Sequence, residues 1–281
     1  MRNKTIIPKT IGVIISTYNN PLWLEMVLWG YYYQTYKDFE IIVADDGSTI
    51  ETSKLIQKFY EITNLRIKHI WQKDNGFQKC RILNKAIVAA ESEYLVFTDQ
   101  DCIPRQDFIE THLSFAEEGY FLSGGKFMLP ISIGKALTKS DIENQAVFSL
   151  KWLKEKGLRM NFKCTKLWSS KFYAKFLNFI TPAKATWNGC NSSGWKSDFL
   201  AINGFNEEMQ YGGEDREFGE RLSNYHIKSK QIRYSAICLH LEHKRPYKSK
   251  EIIETNKAIR KQTRNKNLIM TSNGIRKIFK D

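Results

Sequence analysis

Residues 11–20 read IGVIISTYNN, and Pro21 follows them. An unbroken apolar run of this length fits a strand buried on both faces of a parallel sheet. Asn19, Asn20 and Pro21 then mark a turn and the start of a helix over Leu22–Gln34. The same order recurs downstream. FEIIVA at 39–44 is a second strand closed by Asp45, Asp46, Gly47 and Ser48, with a helix over Thr52–Thr63. Leu65–Ile70 is a third strand, Asn84–Ala90 is helical, and YLVFT at 94–98 is a fourth strand. Strands separated by helices imply an α/β fold with a mostly parallel central sheet, flanking helices and right-handed crossovers.

Ligands of such sheets bind beyond the carboxyl ends of the strands. Three polar signals meet at that edge: Thr17-Tyr18-Asn19, Asp45-Asp46-Gly47 and Asp99-Gln100-Asp101. Each alone is also an ordinary strand terminator. In Asp99-Gln100-Asp101 the carboxylates stand at i and i+2 on one face of extended chain, and hard carboxylate ligands suit a divalent cation that stabilises a diphosphate leaving group. His240 and His243 in HLEH converge on one ion if the segment turns. Lys79 and Arg81 in FQKCRILN fall in the first turn of a helix, where bases meet phosphate.

The YGGED segment, 211–215, is the sharpest local feature. Gly212-Gly213 lets the backbone approach a ligand closely. Glu214 and Asp215 open a helix to about Tyr225; there they complement the helix dipole, or one serves as a general base toward an acceptor hydroxyl. Tyr211 offers a flat face for a sugar ring.

The chain has 281 residues, 42% hydrophobic and 26% charged, an ordinary globular mix. Its five cysteines are scattered with no CxxC pair, so reduced thiols are expected and no disulfide framework. No signal-peptide pattern opens the sequence, and no apolar run approaches the roughly 18 residues of a membrane span. The expected location is cytoplasmic, with any membrane contact made from the side. Net charge is +13, of which +9 falls in residues 244–281. Such a basic tail suits anionic lipid or nucleic acid, or is a solvated helix face.

Taken in order, ISTYNN, VADDGS, FQKCRILN, VFTDQDCIP, NGCNSSGWKSDFLAINGFNEEMQYGGEDREFGERL and HLEH resemble the inverting glycosyltransferases of GT-A fold. More closely, they are similar to bacterial family-two enzymes whose C-terminal half is like β-1,4-galactosyltransferases. The resemblance covers most of residues 11–245 and implies roles residue by residue. Asp46 would bind uracil or ribose, with Thr17 and Tyr18 lining the base pocket. Arg81 would face the diphosphate, Asp99 the ribose, with Gln100 between the carboxylates. Asp101 and His243 would ligate Mn2+, with Mg2+ the alternative and His240 a further ligand. Asp215 would be the catalytic base, and Glu214, Tyr211, Gly212 and Gly213 would hold the acceptor.

The implied reaction moves a hexose, galactose favoured over glucose or N-acetylhexosamine, from a UDP-sugar to a glycan or lipid-linked acceptor of bacterial lipopolysaccharide, O-antigen or capsule. Tyr211 replaces the tryptophan of the animal enzymes, which leaves the acceptor open. The QxxRW signature of processive synthases is missing, so one sugar per encounter is expected. The implied layout is a GT-A domain over 1–245, with a nucleotide-sugar half at 1–110 and an acceptor half at 111–245, then a basic helical tail at 246–281. A nucleotidyltransferase on a similar sheet and a nucleic-acid-binding protein are the alternatives. Against the second, the aromatics form no RNA-binding signature, so no nucleic-acid partner is expected.

Trp168, Phe172, Phe176 and Phe179 fall within one arc of a helix, flanked by Lys166, Lys171 and Lys175. The helix either packs on the core or lies at a membrane interface. Ile275, Ile278 and Phe279 repeat that theme in the tail, and both segments are expected to face an anionic membrane.

Overall fold

A computed structural model describes residues 8–168, 170–243 and 249–278. The first four strands form the parallel heart of a seven-stranded sheet: β1 (Ile11–Thr17), β2 (Phe39–Asp45), β3 (Arg66–Trp71) and β4 (Tyr94–Asp99). Its order is β3-β2-β1-β4-β8-β6-β9, completed by β6 (Tyr120–Ser123), β8 (Ser192–Trp195) and β9 (Lys228–Gln231). Strand β8 runs antiparallel to both β4 and β6, and β9 is parallel to β6. A second sheet, β5-β10-β7, joins β5 (Cys102–Pro104), β7 (Gly125–Leu129) and β10 (Ile237–Leu241).

The unbroken apolar runs have a plain cause: helices cover both faces of the sheet, so both side-chain sets of each strand are buried. Val13, Ile15, Ile41, Val43 and Val96 face one core, with Leu24, Val27 and Leu28 of α1 (Pro21–Tyr32) and Phe108 and Ile109 of α4 (Phe108–Phe115). Ile14, Ile42, Ala44, Leu95 and Phe97 face the other, with Ile82, Leu83 and Ile87 of α3 (Lys79–Ala89). Helix α2 (Ile50–Ile62) adds Ile56 and Phe59 to the first. Asn20 caps α1 through Trp23 N (3.3 Å), and Pro21 fills its first turn as the sequence expects.

Short helices α5 (Ile131–Lys135), α6 (Lys139–Glu143) and α7 (Leu150–Glu155) lead to α8 (Lys171–Ile180). Then come α9 (Lys196–Ala201), α10 (Glu214–Asn224) and α11 (Lys250–Asn265). Among the described residues no helix is long and apolar enough to cross a membrane.

Three expectations are corrected. Trp168 lies outside α8, because the preceding 3-10 turn ends at Leu167 and Ser170 caps the helix. Core packing of the aromatic arc is excluded too: Phe172, Phe176 and Phe179 are 80%, 50% and 89% exposed. In the tail, Ile275 is buried in the second core, so it does not face a membrane; Phe279 lies outside the described residues. Helix α11 is docked, not free. Its Arg260 and Arg264 pair with Glu220 of α10 at 2.6 and 2.8 Å, and Asn256 donates to the carbonyls of Gln210 and Gly212.

Candidate active site

The carboxyl ends of β1, β2 and β4 lie side by side, in register Thr17 beside Asp45 and Ser16 beside Asp99. Side-chain bonds tie the three ends together. Gln100 accepts from Thr17 Oγ1 (2.5 Å) and Tyr18 N (3.1 Å), and its amide donates to Tyr18 O (3.0 Å). Ser16 Oγ donates to Asp99 Oδ1 (2.6 Å). The Tyr18 ring is 47% exposed, and its hydroxyl donates to Asp74 (2.9 Å), so an open aromatic face stands at the rim.

Asp46 sits below that rim. Gln72 Nε2 donates to Oδ1 (2.7 Å) and Gln78 N to Oδ2 (2.8 Å), yet burial outweighs both bonds and raises its pKa. Its neighbour Asp45 is fully buried and binds Ser48 N (2.8 Å) and His69 Nε2 (2.9 Å), which closes the turn after β2. Asp45 therefore holds the backbone while Asp46 stays at the cleft.

Lys79 and Arg81 part company. Both lie in the first turn of α3, but Arg81 is exposed and its side chain makes no hydrogen bond with any described residue. Lys79 Nζ reaches Asp99 Oδ1 at 2.6 Å. Burial opposes its charge, but Asp99, Asp215 and Glu214 together hold its pKa well above the ordinary lysine value. Lys79 is thus the cation shared by the β4 carboxylate and the YGGED acids. Helical phase explains the difference, since i and i+2 on a helix point about 200° apart.

Gly212 and Gly213 have φ of +112° and +102°, a region that L side chains rarely adopt. Their turn brings Glu214 back to accept from Gly212 N (2.8 Å), so Glu214 braces the loop. It also launches α10 with Asp215 in the first turn, facing inward. A Cβ added to Gly189 would meet Asp215 Oδ1 at 2.7 Å, which shows how closely the loop before β8 approaches. That oxygen is enclosed and has no hydrogen-bond donor among the described residues. Burial, then repulsion from Glu214, raises the pKa of Asp215 to about 7, with Lys79 pulling the other way. A carboxylate with that pKa is matched to proton transfer at neutral pH. Tyr211 stands beside it with its ring edge-on to Phe77 at 5.9 Å.

Asp101 and the HLEH imidazoles also converge. Strands β5 and β10 pair Cys102 with His240, which brings the segments together. Asp101 Oδ2 lies 3.0 Å from His243 Nε2 and 3.5 Å from His240 Nε2. His240 Nδ1 lies 3.1 Å from Leu241 O, and donating to that carbonyl leaves Nε2 with a lone pair. Two acceptors, Nε2 and Oδ2, then face each other across 3.5 Å, a geometry that a cation completes. Burial works against ionisation of Asp101, but the hydrogen bond from His243, and positive charge on His240 when that ring is instead protonated, hold its pKa below the usual carboxylate value. One carboxylate with two imidazoles is a donor set able to hold a first-row divalent ion.

Sequence reading missed a further grouping. Cys102, Cys190 and Cys238, far apart in the chain, gather beside this site, where their thiols donate to Asp101 Oδ1 (3.3 Å), Asn188 Oδ1 (3.2 Å) and the carbonyls of Gly125 and Cys190 (3.7 Å each). The neighbouring thiols of Cys102 and Cys238, with Lys126, hold the pKa of Cys190 below that of an ordinary thiol against the effect of burial. Asp99, Cys102 and Cys190 lie within 4.8 Å of one another. Cys190 adjoins Gly189, so the β4 end and Asp215 share one cleft wall. Only the strand pairing, invisible in linear spacing, brings these residues together.

Residues 12–173 match the model of glycosyl transferase family 2, and residues 173–244 match that described as the N-terminal domain of galactosyltransferase. Chondroitin synthase of Escherichia coli is 28% identical over 236 residues, covering 78% of this chain and 33% of that protein. Hyaluronan synthase of Pasteurella multocida is 26% identical over 245 residues, 76% of this chain and 23% of that protein. The chain therefore spans a third or less of these relatives. Validoxylamine A glucosyltransferase of Streptomyces hygroscopicus subsp. jinggangensis is 26% identical, covering 77% of this chain and 52% of that protein. Among solved structures, a mannosyltransferase from Pyrobaculum calidifontis in complex with GDP-Man and Mn2+ superposes with a TM-score of 0.57. It is 19% identical, and the match covers 86% of this chain and 59% of that one. S. aureus TarS with UDP-GlcNAc also gives 0.57, at 17% identity over 84% and 59% of the chains. These likenesses show a GT-A fold.

Proposed function

The chain belongs to glycosyl transferase family 2, and from that premise we propose that it moves one hexose from a UDP-sugar to a glycan or lipid-linked acceptor with inversion. The observation that carries this reading is Lys79, which bonds Asp99 and lies within the field of Asp215 and Glu214. It ties the donor end of the sheet to the acidic start of α10 in one cleft.

In this reading the uridine lies against Tyr18 and Thr17, with Asp46 reading its polar edge. Asp99 meets the ribose, and Gln100 holds the strand ends in place. Arg81, exposed at the rim, meets the diphosphate from the solvent side. Asp101, His243 and His240 would hold Mn2+ or Mg2+, and the ion would supply charge neutralisation for the departing UDP. Tyr211 and the Gly212-Gly213 turn seat the acceptor, with Glu214 bracing the turn. Asp215 takes the proton of the acceptor hydroxyl as its oxygen bonds to the anomeric carbon. The bond from that carbon to the diphosphate oxygen breaks in the same displacement, and its electron pair leaves with UDP.

We assign residues 1–110 to the nucleotide-sugar half and 111–245 to the acceptor half. Galactose is the favoured sugar, because the second half is galactosyltransferase-like. The pathway proposed is bacterial surface polysaccharide assembly on the cytoplasmic side. No observation favours nucleotidyl transfer or nucleic-acid binding over this reading.

The test is a panel of UDP-hexoses with Mn2+, read by UDP release, with the product's anomeric configuration fixed by NMR. Release from one donor with inverted product is expected. Hydrolysis of an NTP to pyrophosphate, or a retained configuration, would overturn the proposal.

A further inference from the structure

Helix α8 presents its apolar residues the wrong way round for a helix on a globular surface. Such helices normally turn the apolar stripe inward. Here Ala174 is buried, and Leu177 and Asn178 are half-buried beside it. Asn178 fixes that inner face: its side chain donates to Ser235 Oγ (2.8 Å) and accepts from Tyr234 N (2.9 Å), and its carbonyl accepts from Gln231 (3.0 Å). Phe172, Phe176 and Phe179 fall within about 60° of one another on the opposite side. They are exposed, as are Tyr173 and Ile180 on α8 and Phe162 and Trp168 just before it. The helix is anchored, so its outward aromatic face is set by the fold.

Charge identifies what covers this face. Residues 156–197 carry eight Lys/Arg and no Asp or Glu. Lys156, Arg159, Lys163, Lys171, Lys175 and Lys184 are exposed around the aromatics. A second copy would set like charge against like charge, which disfavours self-association through this face. Lysines beside protruding rings suit an anionic bilayer, where the rings enter the headgroup boundary and the ammonium groups stay at phosphate level.

We infer that α8 and the turn before it form the membrane-contacting element of this protein, docking it flat on an anionic lipid surface. This replaces the tail in that role, because α11 and Ile275 are packed on the body. The inference deepens the reading of a lipid-linked acceptor proposed above and rests on it only for its purpose. From α8 the chain runs directly to Gly189 against Asp215, so docking would hold the acceptor side near lipid.

The test is flotation of the full chain with vesicles of phosphatidylcholine alone or with about 30% phosphatidylglycerol, without donor or metal. Wild type should float only with the anionic vesicles. Phe172→Ser/Phe176→Ser/Phe179→Ser and, separately, Lys171→Glu/Lys175→Glu should each weaken binding by about tenfold or more. Both variants should keep the thermal midpoint and UDP release toward a soluble acceptor, since neither touches the cleft. Three outcomes would overturn the inference: no flotation of wild type, flotation indifferent to phosphatidylglycerol, or unchanged flotation of the triple serine variant. A concentration-dependent dimer that buries these phenylalanines would also overturn it, in favour of a protein partner. Loss of UDP release in wild type would instead sink the proposed function and leave the vesicle result standing.

Discussion

Asp215 has a raised pKa because its surroundings favour the neutral acid. A group whose pKa is about 7 in the folded chain, against an ordinary 3.8, binds its proton more tightly when folded. Its contribution to stability is therefore fully present below about pH 4 and is lost as pH rises through about 7. Asp215→Asn removes that dependence. The variant should be more stable than wild type at about pH 8, by about 1–3 kcal/mol, with the gain shrinking toward pH 5. Urea denaturation across that range measures it. Lys79 is the group that lowers the same pKa. Lys79→Met should therefore move the acid limb of kcat/KM for UDP release upward, by about one pH unit. An unmoved limb would separate Lys79 from the base. The tight turn and helix start at GGED were legible in the sequence; which of its two acids faces the cleft was not, and Asp215 was singled out only by the family resemblance. The primacy of Lys79 over Arg81 in the cleft was not legible either, because it depends on which side of one helical turn faces the strand ends.

At the scale of elements, α10 is the part most exposed to a single substitution. Its Arg221 is buried and forks onto Glu217 at 2.8 to 3.0 Å, while Nη1 donates to Ile202 O (2.7 Å). Thr263 of α11 also donates to Glu217 (3.0 Å). Removing one member leaves an uncompensated buried charge, so Arg221→Met should cost about 3–5 kcal/mol. Adding Glu217→Gln should recover part of that loss in thermal denaturation; no recovery would show that packing, not charge, is the cause. The strands β1, β2 and β4 were readable from apolar runs that end in Asp or Asn. Strand β8 was not: SSGW carries no hydrophobic periodicity, and it is buried because β4 and β6 flank it. The inverted face of α8 was visible as an arc of aromatics, but whether it pointed in or out depends on Asn178, whose partners lie over 50 residues away.

Over the whole molecule, one sheet edge gathers Thr17, Tyr18, Asp46 and Asp99, and one helix start delivers Asp215. The second sheet brings HLEH to Asp101, and the last helix locks the Gly212-Gly213 turn from behind. Sequence order alone made the tail look like an appendage because its charge is so uneven. In the fold, Asn256 holds the carbonyls of Gln210 and Gly212, so α11 is part of the site's scaffold. A chain ending at Tyr247 should melt at a lower temperature and lose transfer more than it loses UDP affinity, as calorimetry and turnover would show. Equal losses would make α11 a general stabiliser without influence on the acceptor turn.

In the proposed reaction Asp215 deprotonates the acceptor while separate residues hold the nucleotide. The direct measurement is turnover of Asp215→Asn with Mn2+ under conditions where its UDP affinity is measured in parallel. Affinity should stay within about threefold of wild type while turnover falls by about 10²–10⁴. Near-normal turnover by the variant would contradict it.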